Sequence, residues 1–255
     1  MNTTVRLATS DEKAVVMNMD HYYLCEFLKF LLNSSSSTSF SVLASLNLSL
    51  EPTMHRMSAM PLCTLLLLFG CSSKLDVNGA NLEYEILGNG NQIVLFDAGA
   101  LSGMSGWDSI WESLPSDITA IRYSRRGEGN SSGCTGQLSF SEYAKDVEQL
   151  LAQLNVSDPI VYVAHSLGGP IAMEYAATNP GKVRAMLLVD PANPRDIEII
   201  TTIDKETGPL EIQQIKEQDY KEGAGLYCFL DALWTKSPAP GFAEIGDIPI
   251  TMNPN

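Results

Sequence analysis

The segment that most restricts what this chain can become runs Ile160-Val-Tyr-Val-Ala-His-Ser-Leu-Gly-Gly-Pro170. An unbroken apolar run of this length reads as a buried strand, and the paired glycines that follow open a helix. A strand that reverses sharply into a helix strains the backbone of its corner residue and leaves no room for side chains two positions either side. Ala164 and Gly168 are those small neighbours of Ser166, so the pattern is A-x-S-x-G, where a glycine is commoner at the first place. An ordinary packing corner can produce the same five residues, and the rest of the chain has to decide between the two.

At 255 residues and 45% hydrophobic content the chain can bury one sizeable α/β domain and carry extra segments. Its 16 basic against 30 acidic residues, a formal net charge of −14, argue against nucleic acid or an anionic membrane surface as its main partner. There is no CxxC pair, HExxH or Cys/His cluster, and no GxGxxG or GxxxxGK[ST] loop. The sequence therefore gives no reason to expect a metal, a nucleotide or another cofactor.

Residues 1–53 differ from the rest. Asp11 to Met19 is mixed and polar, Tyr22 to Leu32 is apolar but too short to cross a bilayer, and Asn33 to Ser41 is Ser-rich. This part reads as mostly disordered, with a short helix expected near Tyr22 to Leu32. Residues 54–70 carry Arg56, an apolar run from about Pro61 to Phe69, and a small residue before Cys71, the order of a signal segment. Leu68-Phe-Gly-Cys71 resembles the lipobox of bacterial lipoproteins, with Phe69 bulkier than usual there. That resemblance implies lipidation of Cys71, a start at Met54 or Met57 with residues 1–53 an upstream extension, and a place in the bacterial cell envelope facing the periplasm or exterior. Contact with the membrane would then run only through the lipid on Cys71. A short anchor or a buried helix is the alternative. From Cys71 onward 12 basic face 25 acidic residues, so the acidity belongs to the folded part. Cys134 and Cys228 remain, either paired, which export would permit, or as two free buried thiols.

In residues 71–255, Lys74 to Val77 and Asn81 to Leu87 flank an Asn78-Gly79 turn and predict a β-hairpin. Ile93 to Phe96 predicts a central strand ending in the Gly-rich loop Asp97 to Gly103, with a helical stretch around Trp107 to Leu114. A strand at Thr119 to Tyr123 follows, then Ser139 to Leu154 with helical spacing and a serine N-cap. Ile160 to Val163, Leu167 to Thr178 and Val183 to Val189 complete a strand, helix, strand sequence. Alternation of this kind predicts a mostly parallel central sheet with helices on both faces. Ligands of such sheets gather at the carboxyl ends of strands, which places Ala100, Ser166 and Asp190 on one rim.

Three ordered blocks sharpen this: Phe-Asp-Ala-Gly at 96–99, Tyr-Ser-Arg-Arg-Gly at 123–127, and Ala-His-Ser-Leu-Gly-Gly at 164–169 followed by Leu-Val-Asp-Pro-Ala at 188–192. With them, residues 82–193 resemble the α/β-hydrolase superfamily, in particular bacterial esterase- and lipase-type serine hydrolases. The family usually has Asp where Ser124 stands and often His-Gly in place of Ala98-Gly99. The resemblance implies a nucleophile at Ser166, oxyanion donors in the backbone N–H groups of Leu167 and Ala100, and a small-molecule acyl substrate such as a carboxylic ester. Asp190 is a candidate triad acid, a charged turn being the alternative reading.

The family's base, a histidine late in the chain, has no counterpart here. The three histidines are His21, His55 and His165, and the last is adjacent to Ser166 along the backbone, where packing is the expected role. Residues 194–241 read as a partial lid with helices at Leu210 to Tyr220 and Leu226 to Trp234, and 242–252 as the entry to a further strand. With the core at 75–193, the expected fold is an α/β-hydrolase incomplete at its C-terminal end, with little activity in this exact chain. A catalytically inactive binding protein of the same fold is the alternative.

Overall fold

In the computed structural model, the described residues are 14–16, 73–193, 195–223, 226–235 and 245–253. They form an eight-stranded sheet: β1 (Ala14–Val16), β2 (Ser73–Val77), β3 (Ala80–Gly88), β4 (Gln92–Asp97), β5 (Ile118–Tyr123), β6 (Ile160–His165), β7 (Val183–Val189) and β8 (Ile250–Asn253). Its order is β1-β8-β7-β6-β4-β5-β3-β2. The hairpin β2–β3 pairs antiparallel, as does β3 with β5, and every other neighbour pair is parallel. This is the mostly parallel, helix-covered sheet that the alternating pattern predicted. One piece differs: Ala14–Val16 pairs with Ile250–Met252 at the far edge, inside the stretch read as disordered. The helix expected near Tyr22 to Leu32, the signal segment 54–70 and Cys71 lie outside the described residues.

Each buried strand serves two cores because successive side chains point to opposite faces. Along β6, Val161 and Val163 join Val94, Phe96 and Leu187 beneath Trp107, Ile110 and Trp111, while Ile160, Tyr162 and Ala164 face the other side. There they pack with Leu82, Leu95 and Met186 against α2 (Phe140–Gln153) and α3 (Gly168–Thr178), through Tyr143, Val147, Leu150, Ile171 and Tyr175. Each large apolar side chain so buried contributes about 2 kcal/mol.

Of the stretch around Trp107 to Leu114, expected to be helical, the single turn α1 (Asp108–Trp111) is α-helical, and a 3₁₀ turn at Gly103–Trp107 precedes it. Beyond β7 come α4 (Asp196–Ile203), α5 (Gly208–Gly223) and α6 (Leu230–Thr235). The sequence spacing found α5, placed α6 too early and missed α4. These helices leave Ile199, Ile200, Ile203, Leu210 and Ile215 exposed. Cys134 and Cys228 form a disulfide with Cα atoms 5.2 Å apart, tying the loop after β5 to the chain entering α6.

Candidate active site

Ser166 occupies the corner between β6 and α3 at φ +48°, one of five described non-glycine residues in the left-handed region. That conformation costs a residue with a Cβ about 1–2 kcal/mol, so neighbouring structure must hold it. Here the end of β7 does so: the Ser166 N–H donates to the Val189 carbonyl at 3.1 Å, and its own carbonyl accepts from Ala192 at 2.9 Å and Gly169 at 3.0 Å. The small neighbours are required by contact. A Cβ on Gly168 would lie 2.8 Å from the Asp97 carbonyl oxygen, and one on Gly99 would lie 2.8 Å from His165 Nδ1 and 3.4 Å from Ser166 Cβ. The loop after β4 therefore passes directly against the serine.

This brings Ala100 and Leu167, the two residues singled out as oxyanion donors, to the same corner. Leu167 is buried at the N-terminus of α3, and Ala100 lies one residue beyond Gly99, where an added Cβ would meet Ser166. Asp190 follows β7 directly, exposed and at φ +42°. His165 is half-buried with its ring edge-on to Trp107, centroids 6.4 Å apart. Burial holds its imidazole below the ordinary value and the Arg125 charge adds to this, while the Asp190 carboxylate opposes both. It is therefore mostly neutral near pH 7, and it packs over Gly99 and Trp107.

Beneath the loop lies a set of charges that sequence spacing did not reveal. Asp97, Arg125 and Glu128 are all buried. Asp97 pairs with Arg125 and accepts from the hydroxyls of Tyr123 and Tyr162, each at 3.0 Å. Arg125 also donates to the carbonyl oxygens of Ala98 at 2.6 Å and Gly99 at 2.8 Å, and to Glu128 Oε1 at 3.1 Å. Glu128 Oε1 accepts from the Leu101 N–H at 3.2 Å. Burial pushes the Glu128 carboxyl up, against the pull of Arg125. The blocks at 96–99 and 123–127 contain Asp97 and Arg125, but spacing did not show that they pair, because the partners stand 27 and 28 residues apart in sequence. No group of three or more His, Cys, Asp or Glu side chains able to hold a metal ion occurs among the described residues.

A family model described as alpha/beta hydrolase fold matches residues 91–210. The wild-type Cfl2 structure from Burkholderia cenocepacia superposes with a TM-score of 0.52 at 14% identity, covering 72% of this chain and 87% of that one. This is an α/β-hydrolase-fold protein. A thermophilic esterase from Thermogutta terrifontis superposes similarly, with a TM-score of 0.51 at 15% identity over 72% of this chain and 90% of the esterase. Among curated proteins, RutD of Azorhizobium caulinodans, named as a carbamate hydrolase, is 36% identical over 111 residues, 44% of this chain and 41% of its own. A non-heme chloroperoxidase of Kitasatospora aureofaciens is 26% identical over 136 residues, 53% of this chain and 45% of its own. The chain thus spans less than half the length of these curated relatives.

Proposed function

We propose that this α/β-hydrolase-fold protein is a serine hydrolase of carboxylic esters or related acyl compounds, with Ser166 as nucleophile. The observation that carries this reading is the strained backbone of Ser166, held by the end of β7, with Gly99 leaving space beside it and Gly168 letting the helix start close to the Asp97 carbonyl. Strain of this kind at a strand-to-helix corner serves to present a side chain outward. The names of the similar proteins, a carbamate hydrolase and an esterase, fit acyl transfer.

In this mechanism Ser166 Oγ attacks the acyl carbon, and the oxygen that gains charge is met by the N–H groups of Leu167 and Ala100. One well-placed donor contributes about 3–4 kcal/mol to the transition state. The N-terminus of α3 adds a positive dipole end at the same place. His165 cannot take the serine proton in the usual geometry, since its ring lies against Trp107. A base from outside the described residues is required, and Asp190 would be the group that orients it. The test is labelling with a fluorophosphonate probe together with hydrolysis of a short-chain nitrophenyl ester. Labelling lost in Ser166→Ala is the expected result, with slow turnover, since losing a base costs on the order of 10⁶ in turnover. Labelling that persists in Ser166→Ala sinks the assignment.

The placement of His165 also favours a second reading, a binding protein that uses the rim without catalysis. It requires acyl compounds to bind without turnover and with equal affinity in Ser166→Ala. At the N-terminal side we propose lipidation of Cys71, an envelope location and membrane contact through that lipid alone. Labelled palmitate incorporated by the full chain and lost in Cys71→Ser is the expected outcome; incorporation that survives the substitution refutes it.

A further inference from the structure

The geometry points to Arg125 and Glu128 as a buried clamp that positions the loop Asp97 to Leu101, and with it the Ala100 amide, against Ser166. The positioning role follows from contacts within one loop, while its use for an oxyanion rests on the serine hydrolase reading above.

Three of the clamp's hydrogen bonds end on main-chain atoms, and they bracket Ala100. Arg125 holds the carbonyl oxygens of Ala98 and Gly99 on one side, and Glu128 holds the Leu101 N–H on the other. Leu101 sits at φ +67°, a conformation its side chain disfavours, with its N–H held by the Glu128 carboxylate. The clamp itself is fixed from below, because Asp97 pairs with Arg125 and is gripped by the hydroxyls of Tyr123 and Tyr162 on two sheet strands.

Stability alone does not account for this arrangement. Two charged side chains, each 2% exposed, are expensive to bury, and apolar residues of similar volume commonly serve a core as well or better. Nor do the charges satisfy themselves fully: Arg125 Nε makes no hydrogen bond among the described residues, and Glu128 Oε2 has only the ion pair with Arg125 at 3.0 Å. Their bonding capacity is directed to the loop instead. Both are positioning residues, acting through the backbone of Gly99 to Leu101.

Amide hydrogen exchange in the full chain tests this without depending on catalysis. In Glu128→Ala, exchange across residues 98–103 should accelerate about tenfold or more, the factor that one lost hydrogen bond to a charged group represents. Strand β6 should exchange as before. Glu128→Gln, which keeps an acceptor for the Leu101 N–H, should restore most of the protection. Arg125→Lys, which cannot hold two successive carbonyls in one plane, should accelerate the same segment. Rates at 98–103 within about twofold of wild type in both Glu128→Ala and Arg125→Lys overturn the clamp, twofold being well below the effect of one such hydrogen bond. If Glu128→Ala exchanges faster throughout, Arg125→Lys alone decides. A parallel titration with phenylboronic acid, which forms a tetrahedral adduct on a serine, reads the use of the loop. Binding that vanishes in Ser166→Ala and weakens in Glu128→Ala supports it. Absence of binding to wild type, with exchange altered as expected, overturns the hydrolase reading and leaves the clamp standing.

Discussion

Ser124 stands where the family resemblance led one to expect an aspartate, and Glu83 on the neighbouring strand places a carboxylate beside it. Its side chain accepts from Ser124 Oγ at 2.6 Å and from the Asn130 N–H and amide, while Ser124 in turn accepts from the Met104 N–H at 2.9 Å. Burial alone would raise the Glu83 carboxyl, but the bonds from Ser124 and Asn130 and the charge of Lys74 bring it below its ordinary 4.5. A carboxyl lowered by folding contributes stability that is complete above its unfolded value and disappears as pH falls through the folded one. Calorimetric melting of Glu83→Gln should therefore show a lower Tm than wild type at pH 7 and a smaller further loss below about pH 4.5, near the ordinary carboxylate value. Melting curves that shift in parallel across that range would refute the assignment. Glu128, whose carboxyl is raised, has the opposite sign, and both proteins retain it, so the difference between them isolates Glu83. Gly168 offers a second residue-level test. Adding a methyl there forces it against the Asp97 carbonyl, and Gly168→Ala should cost about 1–3 kcal/mol, visible as a Tm lower by several degrees.

Among the helices, α2 shows how a local signal becomes structure. Ser139 accepts from the Glu142 N–H at 3.3 Å while Glu142 accepts from the Ser139 N–H at 2.7 Å, a reciprocal capping box. The apolar stripe then turns Tyr143, Val147 and Leu150 into the core. Ser139→Ala should lower stability by about 1 kcal/mol in urea titration, and Ser139→Asp should restore it; equal midpoints for all three would show that the cap contributes nothing. This helix was legible to within a residue at each end because cap and stripe agree. Around Trp107 they disagree. The Gly-rich loop has to bring Met104 onto Ser124 and Trp107 onto Phe96, and the helical stretch there is shortened to the single turn α1, with a 3₁₀ turn before it. The missed α4 has no buried residue and no side-chain cap, so neither signal marked it.

Across the molecule, the Cys134–Cys228 disulfide joins positions 94 residues apart and encloses the serine corner, β7, α4 and α5. Removing a crosslink of that span gives the unfolded chain back roughly 4–5 kcal/mol of loop-closure entropy. Reduction, or the double substitution Cys134→Ser and Cys228→Ser, should lower Tm substantially, and calorimetry with and without reductant measures it; an unchanged Tm would mean that the bridge stabilises nothing. Spacing could not pair these cysteines, because only the packing of α6 beside the loop after β5 brings them together. The elbow at Ser166 marks the division between what each level of description decides. Its strand, its helix and its small neighbours follow from the local sequence alone, since sterics at a sharp corner admit few residue types. The chain by itself therefore determined the alternating strands, the α/β-hydrolase fold and the position of the serine. Only the tertiary structure decided what surrounds that serine: Gly99 against its Cβ, His165 turned to Trp107, and Asp97, Arg125 and Glu128 buried together below the loop. Those partners come from separate strands and loops, and the energy of placing charges side by side in a low-dielectric interior depends on distances that no sequence pattern encodes.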